Sequence, residues 1–403
     1  FIIAVFRLLA HVPVPGVDTS TLKAYLSGNA ILGIFDLFSG GALQNFSIVT
    51  LGVGPYINAS IIIQLFTIMI PKLEELSKEG EYGREKINMY TKFLTVPLAL
   101  LQSYGIYFLL SKQGIIPTLG IFQLVILILT LMAGTMLLTW IGDLVTEYGV
   151  GNGISILIFV GIISRLPVTA LQVANGLFTG SAAQIMGLVI FLLFSLLVVM
   201  SVVLVNEGTR NVLIEYGRRS ERSQKVTNYL PMKINQAGVI PIIFAVSAVS
   251  LPSMISGPFV ASSNTTLQNI GIFLNANFSQ ENLLYNVIYF VLVFGFTYFY
   301  TSIQFDPVKI ADDIKKRGGF IPGIRPGSNT SAYLKGVISR ITLSGALFLG
   351  LIAILPFLVT KATGFTDLSI GGSGLLIVVS VVLETVRQVE SLMTVRDYQS
   401  FLH

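Results

Sequence analysis

Apolar runs of helical length recur along the chain at about 1–12, 55–71, 91–110, 119–142, 153–167, 184–206, 236–256, 284–305, 337–359 and 372–390, with polar residues swept between them. Most of these runs are too long for strands, and together they predict an all-α polytopic membrane protein of ten transmembrane helices, the first one partial. One stretch breaks the pattern. From Pro55 to Pro71 there are only 17 residues, which is about 25 Å of helix against roughly 30 Å of hydrocarbon. This helix is therefore expected to start inside the membrane. Gly52 and Gly54 permit a tight bend before it, and Pro55 suits a first helical position. Upstream, Ile31 to Leu43 reads as a short helix broken by Ser39, Gly40 and Gly41 and made polar by Asp36. Irregular backbone at membrane depth is tolerated only where protein or a watery cavity surrounds it. The chain is thus expected to enclose a cavity holding Gly33 to Phe46, the competing reading being an amphipathic hairpin on the outer surface.

Three other runs are similarly interrupted. Gly149 to Gly153 precedes a run that ends at Leu166; Gly238 to Leu251 carries Pro241 and is expected to stop at Pro252; Gly371 to Gly374 opens the last run. Short, broken spans in matching places suggest an inverted repeat with its working site at mid-membrane. The halves would be residues 1–168, with spans one to five, and 169–403, with spans six to ten, although no residue-by-residue repeat is evident. Near the breaks stand Val53, Ile57, Ile154, Ile158, Ile243 and Ile377, without a carboxylate, lysine or histidine among them. Any one of these is an ordinary core residue. Their joint placement fits a hydrophobic constriction, which gates by dewetting.

Composition narrows the chemistry. With 53% hydrophobic and 11% charged residues and a mean hydropathy of +0.79, nothing soluble competes. There is no cysteine, and the two histidines, His11 and His403, cannot form an HExxH-type zinc site. The numbering opens inside an apolar run, read as the truncated first span rather than a signal peptide. Arg7 and Glu384 are almost the only ionisable groups expected at depth, and Glu384 is expected to pair with Arg387 one turn away. Ion-coupled transporters and intramembrane proteases need titratable groups or catalytic dyads there. No Walker A sequence is present, so no enzyme activity and no cofactor are expected, and energy must come from a partner. An ion-coupled secondary transporter with inverted repeats stays as the alternative.

Lysine and arginine set the orientation. Of 25, 20 fall in the segments near 72–92, 207–235 and 306–340 and in the C-terminal tail, which are therefore expected to be cytoplasmic. Two of these segments look built to project. Alternation through Asn211 to Tyr216, then a basic turn, then Val226 to Leu230 predicts a hairpin. Residues 306–336 combine an amphipathic helical piece with a stiff Pro-Gly tip bearing Arg325. Such charge suits anionic lipid, ribosomal RNA or an acidic protein face. Asn58, Ser60 and Gln64 on the second span, with Asn235, Gln236 and Ser247 on or beside the seventh, suggest either interhelical hydrogen bonding or a separable seam.

The stretches DLFSGGALQNFSIVTLGVGPYINASIIIQL, EGEYGREKINMYTK, YGVGNGISILIF, INQAGVIPIIFA, GFIPGIRPGSNTSAYL and GGSGLLIVV together resemble the SecY family, the channel subunits of the bacterial Sec protein translocon, over essentially the whole chain. The resemblance implies an hourglass channel of two five-span halves, passing unfolded preproteins across the plasma membrane and releasing membrane segments laterally. Its pore ring would be Val53, Ile57, Ile154, Ile158, Ile243 and Ile377, Val53 departing mildly from a mostly isoleucine ring. Its re-entrant plug, at about 31–46, would include Ile34, Phe35, Asp36, Leu37, Phe38, Ser39, Gly40, Gly41, Ala42 and Leu43. Its lateral gate between spans two and seven would include Ser60, Gln64, Val239, Ile242 and Val246. Arg210, Arg218, Arg219, Arg222, Lys225, Lys316, Arg317 and Arg325 would dock the SecA motor or the ribosome. SecE and SecG are the implied membrane partners, and a signal peptide or preprotein the substrate.

Overall fold

The computed structural model of the protein describes residues 2–14, 22, 36, 39–164, 182–216, 228–260, 264–279, 282–363 and 369–400. Thirteen helices and three short strands are named among these residues. The helices are α1 (Ile2–Leu9), α2 (Gly54–Met69), α3 (Pro71–Lys78), α4 (Glu81–Lys112), α5 (Ile121–Tyr148), α6 (Gly153–Ile163), α7 (Ala182–Glu207), α8 (Ile240–Val260), α9 (Thr265–Asn277), α10 (Leu283–Gln304), α11 (Pro307–Lys316), α12 (Ser328–Thr363) and α13 (Ser369–Ser400). The strands are β1 (Thr209–Tyr216), β2 (Asn228–Lys233) and β3 (Gly319–Phe320). Among the described residues four stretches are apolar and long enough to cross a membrane: Glu81–Lys112, Ile121–Tyr148, Leu283–Lys316 and Ser328–Val359. The pair α2 and α3 makes a fifth only if a bend of 102° at Ile70 is counted within one span. Every predicted run has a helix within it, and several helices are shorter than a span because their backbone breaks inside the protein.

The boundaries differ from the sequence expectation in three places. The basic segment near 72–92 is helical, as α3 and the first turns of α4, because its charges sit at spacings a helix end in water accepts. Pro252 does not stop α8, which continues to Val260. A proline removes one helical hydrogen bond, and close neighbours can hold such a helix together; here α9 packs so tightly that a side chain at Gly271 would meet Val260 N at 2.5 Å. The last helix, expected to open at Gly371 to Gly374, begins slightly earlier, α13 starting at Ser369.

The two projecting segments meet in one sheet of order β2-β1-β3. The predicted hairpin pairs Thr209 with Lys233 through Ile214 with Asn228, and β3 from the other segment adds Glu215 opposite Phe320. Beneath it Val212, Ile214, Met232, Ile314, Ile321, Leu334, Val337 and Ile338 form a closed apolar cluster. Alternation in β1 puts Val212 and Ile214 on that face, so the hairpin is anchored by burial as well as by its ladder. The helical part has its own clusters: one joins the turns after α1 to α4 and α5, another joins α7, α8, α10 and α12, and a third lies where α1, α2, α5, α6, α8 and α13 converge.

Candidate functional site: an apolar waist beneath a buried turn segment

Each predicted ring residue is delivered by the start of a helix or lies within its first turns. At α2, Gly52 takes φ +57° and Val53 caps the helix ahead of Pro55, which needs no hydrogen-bond acceptor for its nitrogen. At α6, Gly151 takes φ +93°, and the Asn152 side chain accepts from Ile154 N at 3.0 Å and Ser155 N at 3.2 Å. The Gly153 N–H donates to Thr146 Oγ1 at 2.8 Å, locking this helix start against α5. Here the chains approach closely: a Cβ on Gly153 would stand 1.9 Å from the Gly142 carbonyl oxygen. At α8, Gly238 takes φ +64° and its N–H donates to Asn235 Oδ1 at 3.0 Å.

These starts bring Val53, Ile57, Ile158, Ile243 and Ile377 into one buried cluster, with Ile154 packed against it. Ile61, Leu157, Val239, Phe244 and Val381 extend the same cluster, and the Arg7 guanidinium lies at its edge beside Phe6 and Gly40. Among the described residues no group of histidine, aspartate and glutamate could hold a metal ion. What this arrangement offers chemically is a flexible apolar contact surface that forms no specific hydrogen bonds.

The segment from Ser39 to Val53 lies against the cluster, and it is neither helix nor strand over nearly all its length yet is buried or half-buried throughout. That excludes the outer-surface hairpin for this part of the chain. Ala42 and Val49 enter the waist cluster, while Leu43, Phe46 and Leu51 pack with α4 and α5. Burial demands that its polar groups be satisfied internally, and they are: Asp36 Oδ1 accepts from Gln44 N at 2.8 Å, Ser39 Oγ donates to the Asp36 carbonyl at 3.1 Å, and Thr50 Oγ1 donates to the Ser47 carbonyl. The exit from α1 stitches to it through Val14 N to the Phe46 carbonyl at 2.8 Å and Ile48 N to the Val12 carbonyl at 3.1 Å. From the expected plug, Asp36, Ser39, Gly40, Gly41, Ala42 and Leu43 are described; Ile34, Phe35, Leu37 and Phe38 lie outside the described residues.

The expected gate residues divide. Helix α8 packs against α2 and α4, and Val239 stands in the shared waist cluster with Ile57 and Ile61. Ile242 and Val246 instead turn into the cluster of α7, α10 and α12. On α2, Gln64 Nε2 donates to Ser60 Oγ at 3.1 Å, within the same helix rather than across the seam. Asn58 Oδ1 and Gln64 Oε1 are buried and, among the described residues, have no hydrogen-bond partner. Of the expected docking residues, Arg210, Lys316, Arg317 and Arg325 are exposed, while Arg218, Arg219, Arg222 and Lys225 lie outside the described residues.

Sequence reasoning missed one polar joint outright and, in a second, named Asn235 and Arg387 but not the partners they take. Lys92 and Asp143 pair at 2.6 Å between α4 and α5, beside a Tyr56 hydroxyl that donates to Asn88 Oδ1 at 3.2 Å. Asp143 at the very end of an apolar run was the available signal. Secondly, Asn235 Nδ2 donates to Asn206 Oδ1 at 2.8 Å and to the Gly238 carbonyl at 3.2 Å, and Asn206 Nδ2 to Ser380 Oγ at 3.4 Å. Arg387 completes this joint by donating to the Asn206 carbonyl and pairing with Glu207 at 2.7 Å, so its partner is Glu207 rather than the expected Glu384. Burial, and then the nearby Arg387 charge, hold the Lys233 ammonium below its ordinary pKa.

Helix starts converging on an apolar waist, a buried irregular segment beside it and a two-part basic sheet domain make a specific combination. The family model for SecY matches residues 47–386. The chain belongs to the SecY family. It is 41% identical over 430 residues to the protein translocase subunit SecY of Mycobacterium bovis, covering 100% of this chain and 95% of that one. To the same subunit of Thermus thermophilus it is 40% identical over 414 residues, covering 100% and 92%. Among solved structures, it superposes on one described as a protein conducting channel with TM-score 0.65 at 18% identity, covering 96% of this chain and 89% of that one. Sec61 from a canine ribosome-channel complex superposes with TM-score 0.63 at 18% identity, covering 96% and 89%. Family membership and the apolar helices make this a multi-pass membrane protein.

Proposed function

We propose that the chain is a protein-conducting channel, a passive gated pore through which unfolded preproteins cross the plasma membrane and from which membrane segments leave sideways. One observation carries it: in a chain of this family, Val53, Ile57, Ile154, Ile158, Ile243 and Ile377 converge from α2, α6, α8 and α13 in one apolar cluster capped by a buried turn segment. Such a constriction excludes water and ions at rest and deforms around varied side chains. None of these six residues is titratable, whereas a coupled transporter needs a titratable relay, and the family and its relatives give that reading no support.

The finer reading has ten spans in two inverted halves, 1–168 and 169–403, with residues 31–46 as the plug and the C-terminus and basic segments in the cytoplasm. The lateral exit lies between α2 and α8, and the unpartnered Asn58 Oδ1 and Gln64 Oε1 support it, since a seam with unmet polar groups opens at little cost. SecA or the ribosome drives the chain through, docking on Arg210, Lys316, Arg317 and Arg325, and SecE and SecG stand alongside in the membrane. The ribosome is favoured by the related Sec61 and Ssh1 complexes, which are ribosome-bound.

The test is single-channel conductance of the purified protein in planar bilayers, intact and with residues 34–46 removed. A nearly silent intact protein and large, flickering conductances after deletion are expected. Silence from both, with a small solute accumulating in vesicles under an ion gradient, would refute the channel.

A further inference from the structure

Helix α8, which lines the proposed exit, is held unevenly along its length. Ile242, Ala245, Val246 and Val249 seat its first half in the cluster shared with α7, α10 and α12. Among the described residues, no side chain of α8 beyond Val249 belongs to an apolar cluster, yet the helix continues to Val260. Its far end is covered instead by α9. A Cβ on Gly271, the middle residue of α9, would stand 2.5 Å from Val260 N and 2.9 Å from Phe259 C. In a hairpin running back along α8, Gly271 would face a residue about six positions earlier, roughly 9 Å away. Contact with the last residue of α8 therefore means that α9 lies across its end.

Helix α9 is itself pinned where it ends. The Asn282 amide is used twice: its Nδ2 donates to the Ala276 carbonyl at 3.1 Å and its Oδ1 accepts from Leu284 N at 3.1 Å. One side chain thus closes the last turn of α9 and caps the first turn of α10. The Asn282 carbonyl also accepts from Asn286 Nδ2 at 2.9 Å, and Phe278, just before it, packs against the cluster of α7, α8, α10 and α12. Helix α9 has no charged residue and packs chiefly on α8. The chain therefore runs from the unclustered end of α8, through α9, to a fixed point on α10.

We propose that α9 is a brace on the far end of α8, with Gly271 and Asn282 as its positioning residues, and that it sets how apolar a segment must be to part α8 from α2 and leave sideways. This rests on the exit proposed above. A segment leaving by that route displaces α8, and displacement of its unclustered end shears the Gly271 contact and pulls on Asn282. Each contact made only in the closed arrangement adds to what the apolar surface of the passenger must supply. Weakening the brace lowers that threshold and leaves the waist and the basic sheet untouched.

The chain has no cysteine, so spin labels on Ala248→Cys in α8 and Leu101→Cys in α4 report a single distance by pulsed electron resonance. Asn282→Asp keeps an acceptor for Leu284 N and removes the donor to Ala276, while Gly271→Ala drives a methyl into the end of α8. Both are expected to lengthen and broaden the distance in the resting protein. Both should also raise motor-driven transport into proteoliposomes of a preprotein with a less apolar signal segment, by about three- to tenfold relative to the same preprotein with its signal intact. Asn277→Ala, which removes a bond within α9 to the Phe273 carbonyl, should change neither. Unchanged distances in both variants overturn the inference. So does a lengthened distance in a transporting protein whose signal requirement is unaltered, or an Asn277→Ala variant that behaves like the other two. Should Gly271→Ala fail to fold, Asn282→Asp decides alone. Distances are read without transport, so a protein that carries no preprotein in any form refutes the channel and leaves the brace to the distances.

Discussion

The Arg7 guanidinium in α1 donates to the carbonyl of Gly40, 33 residues away, at 2.5 Å, tying the first helix to the buried turn segment. Gly40 itself has φ +70° and lies where a Cβ would stand 3.0 Å from Gly161 Cα and 3.2 Å from Phe6 Cζ. The segment is thus held by one charged hydrogen bond and by a close approach that only glycine permits.

If that segment seals the waist, Arg7→Gln should loosen it. A hydrogen bond to a charged group contributes about 1.5–3 kcal/mol, so the resting open probability in planar bilayers should rise about tenfold or more. Gly40→Val should act in the same direction through its clash with α6. Silent variants would show that the seal lies elsewhere.

The waist should depend on polarity more than on shape. Ile158→Asn places an amide in a cluster without hydrogen-bond partners and is expected to raise ion leak through the resting protein. Ile158→Leu keeps the volume, costs below about 1.5 kcal/mol and should leave conductance unchanged. Equal leak from both variants would argue for a size filter instead.

Gly153→Ala is expected to cost about 1–3 kcal/mol or more, because its Cβ would sit 1.9 Å from the Gly142 carbonyl oxygen, a backbone atom that cannot rotate away. Thermal unfolding in detergent would read this as a lower midpoint and a smaller folded yield. Gly105→Ala, inside α4 with nothing within 4 Å of its Cβ, is the control. That change should stabilise by about 0.5–1 kcal/mol.

The asparagine joint should behave as a unit. Asn206→Ala and Asn235→Ala each break the 2.8 Å bond between them and strand polar groups around Gly238 and Ser380. Each should destabilise by about 1–3 kcal/mol. The double variant should cost less than the sum, with a coupling of about 0.5–3 kcal/mol. Strict additivity in the unfolding midpoints would mean that the two amides act independently.

The exposed basic tip should affect partners and leave the pore alone. Arg325→Glu, beside Gly323 at φ +80° and Gly327 at φ +105°, is expected to weaken binding of the motor or ribosome at low salt by about tenfold. Conductance of the resting channel should not change. Binding unaffected by the charge reversal, measured by co-sedimentation, would remove this tip from the docking surface.

Some of this architecture was legible in one dimension. The short second helix was countable between Pro55 and Pro71, because rise per residue and bilayer thickness are both fixed, and α2 ends at Met69. Alternation marked the β1–β2 hairpin, since a half-buried strand alternates whatever it packs on. The glycines at 52, 151 and 238 announced breaks because they alone take positive φ without strain.

Other features had no local signature. Periodicity reports that a face is buried and is silent about what covers it, so Val239 in the waist and Ile242 and Val246 in the neighbouring cluster look alike as sequence. The third strand at Gly319–Phe320 is too short to show a pattern and exists only because two distant segments fold together. Arg387 had an acidic residue one turn away, yet the packing of α13 against α7 brought Glu207 closer. Hydropathy and backbone stereochemistry, which act within a few residues, determined the helices, their breaks and the basic face. Which side chains meet at the waist, and which polar groups hold it, was decided by long-range packing, because contact energies depend on neighbours that the chain brings together only when it folds.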